Sequence, residues 1–400
     1  MLTVQTSMKF SILTTIVAVL LTGSLQAQDS TDLWSKAKAN PNLGRQKFIE
    51  LKLHTGGHLY NGEELSNALK HGYESVELRM AWMSTGKQEW QRALNYPSYG
   101  IGFYTGNIGD ATVLGNPSGI YGFFYAPFHR RKRHHFEAGL SLGFTYDLNP
   151  YDQDKNPLND AISSKVDVYF NVGASGVWRL SELFDFVYGV DLTHFSNGRT
   201  HTPNLGLNMA GLHAGLRVHY NTIRNIVQQQ IDPHYVARIR PTYIDSPLSK
   251  LKHKQEWSLY GAFGVVQADS RYGVRAFYGT ASAVLDWSYL YSHVCSFGAG
   301  LDGFYDGSLG LVYGQRYGKV STFDKMLLGA HIGHSLHLQR FDIVTQAGTY
   351  LWRRDNEKGN WFLRVALRYN VSKYGFLQIG LKTQNGAAAD WIEWGGGGRL

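Results

Sequence analysis

The chain has 400 residues, 43% of them hydrophobic and only 18% charged, with 45 glycines, 10 prolines and a formal charge of +8. Soluble domains usually carry about 25% charged residues, so this composition is low for one. No basic stripe alternates with exposed aromatics, which argues against nucleic acid as a partner. The modest positive balance suits an anionic lipid surface instead.

Residues 1–27 read as an export leader. Lys9 supplies the charge, residues 10–21 the apolar stretch, and Leu25-Gln26-Ala27 a small-residue cleavage site. The apolar run is shorter than the roughly 18 to 20 residues that a spanning helix needs, and no other segment reaches that length. A membrane crossing would therefore be made by strands closed into a barrel. Cys295 is the only cysteine, which excludes an intramolecular disulfide and a cysteine-based zinc site.

From about residue 53 the sequence alternates. Val76, Leu78, Met80 and Trp82 share one face of an extended segment, and Ser75, Glu77, Arg79 and Ala81 the other. Residues 136–147 and 166–180 repeat the pattern. Alternation sustained over about ten residues, with aromatics near the ends, predicts transmembrane barrel strands. Eight segments fall near 53–60, 74–85, 98–106, 117–128, 135–148, 163–180, 183–197 and 205–221, with a helix-like insert at 63–70. A polar, proline-bearing connection follows, so the chain divides into 28–222, 223–253 and 254–400. Eight further segments lie near 255–267, 272–290, 293–305, 325–336, 340–353, 361–371, 374–384 and 390–400.

The expected fold is all-β, an antiparallel transmembrane β-barrel of about sixteen strands in all. It is either one barrel, the preferred reading, or two of about eight. Short turns alternate with longer loops, which puts both chain ends in the periplasm and the loop 198–203 outside. Arg130-Arg131-Lys132-Arg133 reads as a hydrated turn. Residues 302–307, with aspartates at 302 and 306, read as turn chemistry rather than a metal loop.

The seventh segment carries the candidate chemistry. Phe184, Phe186, Tyr188, Val190, Leu192, His194 and Ser196 share one parity, so the histidine and serine continue the lipid-facing row. On the eighth segment Asn208 has the same outward parity as Ala210 and Leu212. Asp191 has the opposite parity. Polar residues facing lipid are costly, and three converging at one end of a hairpin point to a site acting on lipid.

His194-Phe195-Ser196-Asn197, followed by Pro203-Asn204 and Gly206, resembles the signature of the lipid A 3-O-deacylase (PagL) / acyloxyacyl hydrolase family. The resemblance spans roughly residues 53–220. It implies an outer-membrane serine esterase that removes a 3-O-linked acyl chain of lipid A, with lipopolysaccharide as substrate and no cofactor or metal. It makes Ser196 the nucleophile and His194 the general base. Oxyanion stabilisation falls to the Asn197–Gly198 region and Asn204. The family's glutamate falls on Asn208, which can orient the imidazole but carries no charge. A porin or channel, a catalytically weak structural barrel and a homo-oligomer remain open on this reading.

Overall fold

The computed structural model describes residues 46–60, 64–221, 239–268, 275–386 and 388–400. The expected leader and residues 223–238 of the expected connection lie outside them. Sixteen antiparallel strands form two closed barrels of eight. The first comprises β1 (Lys47–His58), β2 (Tyr73–Met83), β3 (Ser98–Asn107), β4 (Gly115–Phe128), β5 (His134–Leu148), β6 (Asp167–Arg179), β7 (Phe184–Ser196) and β8 (Leu207–Tyr220). The second comprises β9 (Gln255–Gln267), β10 (Phe277–Leu290), β11 (Cys295–Asp306), β12 (Met326–Leu338), β13 (Phe341–Trp352), β14 (Trp361–Asn370), β15 (Gly375–Gln384) and β16 (Ala388–Arg399).

The single sixteen-stranded barrel is not what forms. β8 turns back onto β1, from Lys47 opposite Tyr220 to His58 opposite Met209, and β16 closes onto β9. Eight strands enclose a lumen that side chains can fill, whereas sixteen leave an aqueous channel. The inward rows here are charged and long enough to fill the smaller space.

In the first barrel Arg217 lies 2.6 Å from Glu50 and from Glu137, Arg79 pairs with Glu77 at 2.8 Å, and Tyr169 donates to Glu77 at 2.6 Å. In the second, Arg364 bridges Asp302 at 2.9 Å and Glu393 at 2.7 Å, while His331 spans Asp286 and Asp302. These charges are buried but paired, which is the condition for tolerating them. The outward rows are apolar. Leu53, Ile120, Leu192 and Leu212 on the first barrel, and Phe263, Leu301, Ile332 and Leu351 on the second, are all exposed.

Three local readings change. The 63–70 insert forms hydrogen-bonded turns over 64–71 rather than a helix, and drops Leu65 and Leu69 into the apolar cluster of the first barrel. The basic run is not simply hydrated. Arg130 is buried and donates to Tyr96 O at 2.8 Å, and Arg131 pairs with Asp245 of the connecting segment at 2.8 Å. Residues 302–306 are strand, not turn: Asp302 and Asp306 are buried and ion-paired inside the second barrel.

Candidate functional site

β7 and β8 form a hairpin whose ladder places His194 directly opposite Asn208. Alternation sends Phe195 inward, where it packs on Tyr104 and Tyr169 and is fully buried. That anchor fixes the strand's rotation, so His194 and Ser196 stand on the outer wall. His194 and Asn208 are half-buried, while Ser196 and Asn197 are each only 4% exposed. The serine is covered by the loop that follows it.

His194 Nδ1–H donates to Asn208 Oδ1 at 2.7 Å. This fixes the tautomer and leaves Nε2 as the basic nitrogen. Ser196 Oγ accepts two bonds, from Gly198 N–H at 3.1 Å and from Asn204 Nδ2 at 3.0 Å. Asn204 is held in that orientation because its Oδ1 takes the Asn197 N–H at 3.3 Å. Asn197 Oδ1 in turn accepts from His201 N, and its buried Nδ2 has no partner among the described residues. Among the described residues no hydrogen bond joins Ser196 to His194. In the resting site the hydroxyl is turned to the two N–H donors.

Two glycines make this geometry possible. Gly198 has φ +64° and Gly206 φ +73°, in the left-handed region. A Cβ on Gly206 would lie 2.8 Å from the imidazole Cε1, so glycine there lets the loop pass beside His194. The loop is held to the β5–β6 connection by Leu205 N to Asp160 O at 3.2 Å and Gly206 N to Ala161 O at 3.1 Å. Tyr60 OH braces Asp160 at 2.6 Å.

Asp191 points into the lumen, as its parity predicts, and accepts from both His54 Nδ1 at 2.9 Å and His213 Nδ1 at 2.8 Å. It is not a partner of His194. These three side chains cluster closely enough to hold a metal ion, yet both imidazoles already donate to one carboxylate oxygen. Two serine–histidine–aspartate chains escaped sequence reasoning. Ser175 meets His213 Nε2 at 2.9 Å, completing a chain to Asp191, and Ser296 meets His337 Nε2 at 3.0 Å, with His337 Nδ1 2.9 Å from Asp342. Their members come from different strands, so no spacing in the sequence announces them. Both serines are buried inside a barrel, out of reach of an acyl chain in the bilayer.

Residues 74–217 match the family described as lipid A 3-O-deacylase (PagL), and residues 255–400 match the acyloxyacyl hydrolase C-terminal domain. The chain belongs to the PagL family of lipid A 3-O-deacylases. The two matches divide PagL-like sequence between the two barrels: the first holds His194, Ser196 and Asn208, and the second is the C-terminal domain. Among solved structures the chain is similar to the crystal structure of the outer membrane enzyme PagL, at 15% identity and a TM-score of 0.30, over 42% of this chain and 97% of that one. It is also similar to the siderophore receptor PirA from Acinetobacter baumannii, at 10% identity and a TM-score of 0.21, over 84% of this chain and 43% of that one. Structural similarities this low carry no argument, and membership rests on the two family matches. No curated protein matches the chain.

Proposed function

We propose that the protein is an outer-membrane serine esterase that hydrolyses the 3-O ester of lipid A, with Ser196 as nucleophile, His194 as general base and Asn208 orienting the imidazole. The observation that carries this reading is the pair of N–H donors, Gly198 N and Asn204 Nδ2, meeting at Ser196 Oγ beside an imidazole of defined tautomer on the lipid-facing wall.

The resting hydrogen bonds suggest how substrate starts the reaction. An ester carbonyl oxygen entering between Gly198 and Asn204 takes over their N–H groups. Ser196 Oγ, displaced from those donors, turns its proton to His194 Nε2 and attacks the carbonyl carbon. The same two donors then hold the negative oxygen of the tetrahedral intermediate, where charge develops. Collapse breaks the bond to the sugar oxygen, which leaves with the proton from His194. Water, deprotonated by His194, hydrolyses the acyl-serine and releases the fatty acid. Asn208 keeps Nε2 pointed at the reacting atoms throughout. Unlike a carboxylate, it adds no charge to stabilise the imidazolium.

Ser196→Ala tests this directly. Mass spectrometry of lipid A is expected to show a lost 3-hydroxy acyl chain with the wild-type protein and an intact one with the variant. Equal deacylation by both would exclude Ser196 as nucleophile. The filled lumens argue against the channel reading, since Arg217 and Arg364 with their carboxylates occupy the path that ions would take.

A further inference from the structure

We propose that Arg199 is a positioning residue for the oxyanion donors, and that the mouth of the second barrel is thereby a working part of the site in the first. This rests on the reading of Ser196 given above.

The β7–β8 loop leaves its own barrel and is received by the other. The Arg199 side chain runs away from Ser196 into the second barrel, with Nη1 3.6 Å from Asp390, Nη2 3.8 Å from Asp306, and Nη2 donating to Ser308 Oγ at 3.2 Å. The Arg199 carbonyl accepts the Gln267 N–H at 3.1 Å, where β9 ends. Thr202 N donates to Gln267 Oε1 at 2.7 Å, and Thr202 Oγ1 to Ala268 O at 2.9 Å. Ile392 of β16 lies so close to Gly198 that a Cβ there would collide with it. The peptide that aims Gly198 N–H at Ser196 is thus gripped on both sides by the second barrel.

The backbone supplies an independent observation. Arg199 has φ +66°, directly after Gly198 at +64°. A long side chain in the left-handed region is disfavoured and persists only where its surroundings over-determine it. The surroundings here are the acidic mouth of the second barrel. Asp306 and Asp390 are also paired with Lys358, and Asp390 with Lys382 at 2.6 Å. Those carboxylates stay compensated when Arg199 is removed, so a variant at this position keeps both barrels.

Full-length protein carrying Arg199→Gly, which tolerates the backbone angle but has no side chain, is compared with wild type, Arg199→Lys and Ile392→Ala. Heat-modifiable electrophoresis reports folding. Loss of donor positioning acts on the transition state, so kcat for acyl release from lipid A should fall by about tenfold or more in Arg199→Gly, with KM within about twofold. Arg199→Lys should recover part of the loss, and Ile392→Ala should show a smaller one. Labelling of Ser196 by a fluorophosphonate probe should slow in the same order. Wild-type kcat and labelling rate in folded Arg199→Gly would overturn the proposal. Should wild-type protein label at Ser196 but leave lipid A intact, the substrate reading fails, and the labelling rates alone decide whether the clamp exists. No labelling and no deacylation in wild type would remove both.

Discussion

Asn208 Oδ1 sits 2.7 Å from His194 Nδ1, across one rung of the β7–β8 ladder, where the family resemblance leads one to expect a glutamate. The bond sets the ring's tautomer and tilt. The amide adds no charge to the imidazolium of the proposed reaction. Asn208→Ala should therefore lower kcat by about 100-fold, the scale on which misplacing a reacting group acts. Asn208→Glu should raise kcat above wild type by about tenfold, because a charge-assisted bond to the imidazolium is the stronger one. Steady-state release of 3-hydroxy fatty acid by the three proteins measures both effects. An Asn208→Glu variant slower than wild type would show that the site has been built around the amide.

Among the described residues Ser175, Ser196 and Ser296 each stand near a histidine, and of these three Ser196 alone is on the outer wall, under the loop that follows it. Ser175 and Ser296 hydrogen-bond their histidines directly, which Ser196 does not in the resting site. Access rather than resting geometry should decide reactivity. A fluorophosphonate probe applied to the folded protein should label Ser196 and spare the other two, as read by peptide mass spectrometry. Labelling of Ser296 or Ser175 in a Ser196→Ala background would place reactive serine chemistry inside a barrel.

The lumen networks should resist single deletions poorly. Arg217 compensates both Glu50 and Glu137, all three buried. Arg217→Ala takes the ion-pair partner from buried Glu137, while Glu50 keeps Lys52 at 3.6 Å and Arg79 at 3.9 Å, and breaking a buried pair this way costs about 3–5 kcal/mol. A double replacement, Arg217→Met with Glu137→Gln, should cost less, because fewer charges are left uncompensated. Urea unfolding from detergent micelles, followed by tryptophan fluorescence, distinguishes the two. Equal midpoints for wild type and Arg217→Ala would mean that the network contributes nothing.

The second barrel presents as apolar a wall as the first, and among the described residues of its strands Ile332 on β12 is the most exposed large apolar side chain, at 70%. If that wall meets hydrocarbon, Ile332→Arg should destabilise the inserted protein by about 2–4 kcal/mol. The same substitution would be nearly neutral on a barrel standing in water. Reversible folding into lipid vesicles measures the difference.

Much of this molecule could be read from its sequence, for a local reason. Strand alternation has a period of two, so the outward and inward rows of β2, β5 and β7 follow from which residues sit two apart. The same rule put His194, Ser196 and Asn208 on one wall and Asp191 on the other, because parity needs no knowledge of distant chain. The start of β1 was less legible. Its inward residues Glu50 and Lys52 become sensible strand residues only once Arg217 and Glu77 face them across the lumen.

What tertiary structure alone decided is everything that depends on closure. Whether sixteen strands make one ring or two turns on β8 finding β1 and β16 finding β9, pairings between segments more than a hundred residues apart whose side-chain pattern is identical in either architecture. The anchoring of Arg199 between Asp306 and Asp390 belongs to the same class. An arginine in a loop and two aspartates in distant strands carry no shared spacing, and only the folded chain, by setting two barrel mouths side by side, turns them into one contact.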